Sequence, residues 1–280
     1  RQLNTLKTAN PRIGRCLSPE AAVNATATFD YNATFREFQS AFVDFVRTDE
    51  VAAEDKDECD REIENLLADI VGKIFPGERI DAALQYDGAP GAGVMLVGWS
   101  IPEGDQLQKS IGELLARTAD AEGDDEEPDT GFVEEYRGRS IYEVDDAGEA
   151  DDAIFGKGAR TYFAVSSDAV WIAMGGEQAL PTLKKALDAS ADQPQASVDR
   201  APLDVTIHGA KVQVYGEGTD DEDAREIAEK AFKDSDDRIR IELTGIENGM
   251  RLRSSVGEAF VRLAALAAVK GLEDVGLLKK

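Results

Sequence analysis

The chain has 280 residues, of which 42% are hydrophobic, enough for a real core at the upper end of one domain or in two. Its 56 acidic residues outweigh 31 basic ones, for a net charge of −25, and no Lys/Arg cluster offsets them, which argues against binding nucleic acid or an anionic membrane surface. No run of about 20 apolar residues is present, so no transmembrane segment is expected. The acidity reads most simply as solubility in salty surroundings; the functional alternative is a polyanion that gathers calcium or docks on a basic partner.

The first residue is Arg1, and the expectation is that a signal peptide or a longer preceding segment has been removed. Two cysteines, Cys16 and Cys59, either join the N-terminal segment to a helix by a disulfide or are two unrelated buried thiols. No Cys-x-x-Cys occurs, so zinc-ribbon and redox-pair spacings are absent. Asn24-Ala-Thr26 and Asn32-Ala-Thr34 match the glycosylation sequon, which carries meaning only on a eukaryotic secretory route.

Residues 26–31 alternate as a strand does. Residues 34–47 then carry Phe35, Phe38, Phe42 and Phe45 at helical spacing, and residues 57–75 carry Ile63, Leu66, Leu67, Ile70 and Ile74. Together they predict a helical hairpin laid against a sheet, ended by Phe75-Pro76-Gly77.

From Arg79 onward one pattern recurs four times: two alternating strands, a turn, an amphipathic helix. The first copy runs over residues 80–99, with a helix carrying Leu107, Ile111, Leu114 and Leu115. An acidic loop at residues 121–130 and a hairpin over residues 132–144 follow, then a second acidic loop at 145–152. The next copy uses residues 160–165 and 169–174, with a helix carrying Leu180, Leu183 and Leu187. Residues 189–202, with two prolines, make the best boundary. The third copy reads residues 203–207, a turn at His208-Gly209, then a strand over 211–215 and a helix capped at Thr219 and Glu222. The last reads 238–244, a turn at Asn248-Gly249, 250–254, and a helix carrying Phe260, Leu263 and Leu266.

The expected fold is therefore α+β: antiparallel sheet built from strand-turn-strand-helix units, with helices packed on one face. It comprises an N-terminal segment and helical hairpin (1–77), a first ββα half (78–190) and a second (200–280), the halves related by duplication or simply alike.

Chemistry-bearing motifs are sparse. The single histidine, His208, sits in an expected turn, a poor place for a catalytic group or a metal ligand. Gly98-Trp99-Ser100-Ile101-Pro102 approaches a nucleophile elbow but lacks its second glycine. Gly88, Gly91 and Gly93 lack the helix that a dinucleotide site requires. The acidic loops do not match a calcium loop, though Asp124, Asp125, Glu126 and Glu127 can bind divalent cations weakly. No catalytic, cofactor or metal residues are assigned, and no cofactor is expected.

The string from Arg238 to Arg253, followed by Ser254-Ser255-Val256-Gly257-Glu258-Ala259, resembles the C-terminal part of uncharacterised exported proteins of planctomycete-type marine bacteria. The resemblance covers about a tenth of the chain. It implies an exported, periplasmic or cell-envelope location and brings no activity or functional residues. The leading expectation is a non-enzymatic exported protein that binds a protein or envelope component. One alternative is a carrier or sensor of a small apolar ligand, held between sheet and helices near Trp99, Trp171 and Tyr162. The other is a carboxylate-dependent hydrolase.

Overall fold

The computed structural model describes residues 13–30, 58–74, 79–89, 91–122, 130–144, 152–192, 201–212 and 222–274. Among the described residues ten strands form one sheet: β1 (Val23–Asp30), β2 (Arg79–Asp87), β3 (Val94–Ser100), β4 (Thr130–Tyr136), β5 (Arg139–Val144), β6 (Arg160–Val165), β7 (Ala169–Gly175), β8 (Leu203–His208), β9 (Arg238–Ile246) and β10 (Gly249–Val256). Their order is β10-β9-β8-β1-β2-β3-β7-β6-β5-β4, and every neighbouring pair is antiparallel. The expected α+β class with an antiparallel sheet is what the molecule has. The described helices of three turns or more are α1 (Glu58–Ile74), α2 (Gly104–Glu122), α3 (Ala179–Asp192), α4 (Glu222–Phe232) and α5 (Glu258–Asp274).

The helices lie on both faces of the sheet, not on one. Alternation along β6 and β7 sends Phe163, Val165 and Val170 to one side and Tyr162, Ala164 and Trp171 to the other. The first side is covered by Ile70 of α1 and Leu107 and Ile111 of α2. The second is covered by Leu183, Ala186 and Leu187 of α3 and by Ile13 and Leu17 of the N-terminal segment. The physical reason is visible in β7: Ala169 to Met174 is an unbroken apolar run, and a strand apolar on both sides needs cover on both.

Trp171 is fully buried. It faces Gly98, where an added Cβ would meet the indole at 2.3 Å, so the glycine in β3 is a packing requirement. Trp99, one residue along, projects to the opposite face with α1 and α2. Trp99 and Trp171 therefore cannot line one cavity.

The α1–α2 pair is tied by polar contacts: Lys73 Nζ donates to Asp69 at 2.6 Å and to Ser110 Oγ at 2.8 Å, and Ser110 Oγ donates to Asp69 at 2.9 Å. The hydrogen bond from Lys73 holds the Asp69 carboxyl below its ordinary range. A carboxylate with a lowered folded-state pKa stabilises above its unfolded pKa and loses that contribution as pH falls. Asp69→Asn is expected to cost about 0.5 kcal/mol at pH 7, since the pair is half-exposed and screened. The difference should vanish when urea titrations are repeated as pH falls through Asp69's lowered pKa.

Three expected repeat units form as hairpins followed by helices (β2-β3-α2, β6-β7-α3, β9-β10-α5), and β4-β5 forms the compact hairpin. The third unit differs. After β8 the chain makes a helical turn at Gly209–Val212 where a return strand was expected. Gly209 N donates to Asp237 O at 2.8 Å and Ala210 N donates to Asp237 Oδ2 at 3.0 Å, which caps that turn. Gly209 also lies beneath Phe232 and Phe260, and these rings meet edge to face at 5.2 Å, joining α4 to α5. β8 pairs with β1 and β9, and residues 213–215 of the expected return strand lie outside the described residues. In the last hairpin the loop residues are Glu247-Asn248, and Gly249 opens β10, one position from the expected turn.

Cys16 is a reduced thiol whose Sγ lies 3.7 Å from Ala186 O and 3.8 Å from Ser190 Oγ, under α3. Of the two alternatives for the cysteines, the bridge to Cys59 is not formed, since Cys16 carries no disulfide. The expected helix over 34–47, both acidic loops with Asp124 to Glu127, Asn32 and Thr219 lie outside the described residues.

Candidate binding cleft

Cross-strand register follows one row of side chains across the whole sheet. Trp171 is opposite Gly98, then Ala83, Thr26, Asp204, Glu242 and Arg253. These residues share a face. On the β7 side of Ala83 that face is apolar and lies under α3; from β1 onward it is polar. The neighbouring row repeats the change: Leu96, Gln85, Asn24, Thr206, Arg240, Ser255. A cleft of about 400 Å3 opens over this polar half, bounded by Pro19 on one side and by Val256 and Gly257 on the other.

Ion pairs hold the floor and walls. Arg240 Nε and Nη2 donate to both oxygens of Asp204, at 3.0 and 2.8 Å, and Arg240 also approaches Glu242 at 3.1 Å. Arg238 makes the same two-pronged contact to Asp236, at 2.8 and 3.3 Å. The two-bond geometry fixes each guanidinium plane and favours the charged form of both partners. Accordingly Arg238 and Arg240 are pushed above the usual arginine value by their aspartates, and Asp236 is held below the usual carboxylate range by Arg238.

His208 ends β8 in the cleft wall, not in a hairpin turn. Its Nδ1 lies 3.2 Å from Asp237 Oδ1, and its Nε2 lies 3.2 Å from Pro19 O. A carbonyl only accepts, so Nε2 carries a hydrogen. The ring ties the Pro19 segment to β8, assisted by His208 N donating to Ala22 O at 2.8 Å and by Lys211 Nζ donating to Glu20 O. With both nitrogens engaged, His208 is a positioning residue.

Asn24 is 7% exposed and lines the cleft. Its Nδ2 donates to Ser18 O at 2.7 Å, which fixes which way the amide points. Its Oδ1 has no hydrogen-bond partner among the described residues, nor has Thr26 Oγ1 in the adjacent row. A buried acceptor without a donor costs on the order of 1–3 kcal/mol. Such atoms in native folds mark places where something else supplies the bond. The burial of Asn24 also closes the first glycosylation sequon to modification in the folded protein.

The remaining sequence candidates are structural. Ser100 Oγ accepts from Asp81 N at 3.1 Å, and His208 belongs to the cleft wall, so no nucleophile elbow exists. Gly93 is a close-approach position, against Tyr86 and Ile154 O, whereas Gly91 has open space where a Cβ would stand and serves a turn with φ of 70°. Among the described residues no group of three His, Cys, Asp or Glu side chains is placed to hold a metal ion, and no helix is long and apolar enough to cross a membrane.

The cleft escaped the sequence reading because Asp204, Thr206 and His208, like Arg238, Arg240 and Glu242, read as the solvent side of ordinary half-buried strands. The available signal was Asn24, Thr26 and Thr28 alternating in a strand that the fold places at the centre of the sheet. No family model, no curated protein and no solved structure matches the chain.

Proposed function

We propose that this is a non-enzymatic binding protein of the exported or cell-envelope compartment, whose cleft takes a neutral, hydroxyl-rich ligand such as an envelope glycan. The observation that carries the reading is Asn24 Oδ1: a buried acceptor, lining the cleft and lacking a donor. The ligand chemistry follows from charge. Within the cleft Arg238 and Arg240 are balanced by Asp236 and Asp204, so the site is locally neutral. The chain as a whole carries −25 and repels anions. Guanidinium donors, carboxylate and amide acceptors and the Ser255 hydroxyl alternate across a few ångströms, which suits vicinal hydroxyl groups. The compartment rests on the resemblance of residues 238–259.

A hydrolase reading requires a carboxyl group kept protonated as a general acid. Asp236 is held the other way, as an anion. Asp204 is committed to a two-pronged ion pair with Arg240.

Titration calorimetry against neutral and acidic oligosaccharides tests the proposal. Neutral glycans should bind without being cleaved, acidic ones at least tenfold more weakly. Ser255→Ala, which removes one exposed hydroxyl and leaves the fold intact, should weaken binding about three- to tenfold, as expected for one hydrogen bond of about 0.5–1.5 kcal/mol. Release of reducing ends, or no binding to any glycan, would overturn the reading.

A further inference from the structure

The cleft has a direction. One row of side chains crosses its floor from strand to strand: Asn24 on β1, Thr206 on β8, Arg240 on β9 and Ser255 on β10. All four line it. Neighbouring strands lie about 4.8 Å apart, so three spacings put the ends of the row about 14 Å from each other. Exposure rises along the row: Asn24 is buried, Thr206 half-buried, Arg240 and Ser255 exposed.

The two ends of this track differ. Beyond Asn24 the row continues as Gln85 and Leu96. Ser18 N donates to Gln85 Oε1 at 2.6 Å, and Leu96 is buried in the core under α3. The N-terminal segment and α3 therefore close the track at that end. Ser255 lies on β10, and among the described residues no strand lies beyond it. A track closed at one end and open at the other admits a chain by its terminus and lets the rest run out past the sheet edge.

The row also alternates in chemistry. At the closed end Asn24 Oδ1 accepts and lacks a donor. Arg240 commits Nε and Nη2 to Asp204 and Glu242, which leaves Nη1 without a bond among the described residues. The Thr206 and Ser255 hydroxyls can each donate and accept. A hexose ring spans about one strand spacing, so a monosaccharide at Asn24 does not reach Ser255, while an extended chain of about three rings meets the whole row. Resting on the neutral-glycan reading of the cleft, we infer that it takes one end of an extended glycan chain of about three sugar units, laid across the strands with its terminal ring at Asn24. A 1,4-β-linked chain is extended and flat enough to follow the row; a 1,4-α-linked chain coils away from it.

The experiment is titration calorimetry on the full chain with 1,4-β-linked glucose, mannose and N-acetylglucosamine chains of one to five units, and with 1,4-α-linked glucose chains of the same lengths. Affinity for the β-linked chains should rise about three- to tenfold per unit up to the third, as for one added hydrogen bond each, and then level off. The α-linked trisaccharide should bind at least tenfold more weakly. Ser255→Ala should weaken the trisaccharide about three- to tenfold and leave the disaccharide unchanged, whereas Thr206→Ala should weaken both. Circular dichroism checks that each variant folds. A monosaccharide that binds as tightly as the trisaccharide overturns the inference and leaves the glycan reading standing. So do equal affinities for α- and β-linked chains, and so does Ser255→Ala weakening the disaccharide as much as the trisaccharide. Absence of binding at every length and linkage overturns both.

Discussion

Trp171→Ala is expected to destabilise the protein by about 3–5 kcal/mol, the range for emptying a large buried aromatic site. The indole is fully buried among Leu96, Ala164, Ala173, Leu183 and Ala186, on a sheet face that α3 covers completely at that point. Small neighbours such as Ala164, Ala173 and Ala186 have no spare side-chain length with which to fill the space. Urea titration of the variant should show a lower midpoint with an unchanged slope. Gly98 supplies the control. Gly98→Ala in the wild type forces a Cβ to 2.3 Å from the indole ring, an overpacking worth about 1–3 kcal/mol. In the Trp171→Ala background that Cβ enters the vacated volume and the penalty should largely disappear. The two losses are thus expected to be strongly non-additive, with a coupling of about 1–3 kcal/mol. Simple additivity would contradict the contact between residues 98 and 171.

Gly104→Ala is expected to cost about 3 kcal/mol, at the upper end of overpacking effects. Gly104 opens α2, and its amide donates to Ser167 O at 3.1 Å, at the β6–β7 turn. A Cβ there would sit 1.8 Å from Ser166 O and 2.8 Å from the Ser167 carbonyl carbon. Both obstacles are backbone, so no rotamer change relieves the overlap. Either α2 lifts away from the turn, withdrawing Leu107 from the core, or the turn itself moves. Gly112→Ala, two helical turns later, meets only Tyr142 OH at 3.8 Å. It should stabilise by about 0.5–1 kcal/mol through helix propensity. Thermal melts of the two variants, moving in opposite directions, test the helix placement.

Most of the sheet was legible because its strands obey local rules. Arg238 to Thr244 alternates with one apolar side, and the apolar spacing of Leu107, Ile111 and Leu114 marks a helix without reference to any partner. What was not legible was set by distant neighbours. Lys211 and Val212 read as the start of a return strand over 211–215, yet Asp237, 28 residues after Gly209, caps a helical turn at Gly209–Val212. The two-sided cover of the sheet was written in the continuous apolar run of β7, but so short a run does not by itself distinguish a fully buried strand from a buried helix segment. The cleft depends on which strands lie side by side. Asn24 comes to border Thr206 only through the insertion of β1 between β2 and β8, and no periodicity along the chain reveals it.

That insertion also sets a timetable for synthesis. Asn24 leaves the ribosome 182 residues before its partner Thr206 (206 − 24). At about 5–20 residues per second, one edge of β1 waits roughly 10–35 s for β8. An edge that must wait so long is safest when it is a poor template for aggregation. β1 reads Val-Asn-Ala-Thr-Ala-Thr-Phe-Asp, with small and polar residues where strands β3 and β7 carry Leu, Ile and Trp. The polar character that later furnishes the cleft thus also protects the nascent chain. Exchanging Thr26 and Thr28 for valine would be felt in the yield of soluble protein as well as in the folded molecule.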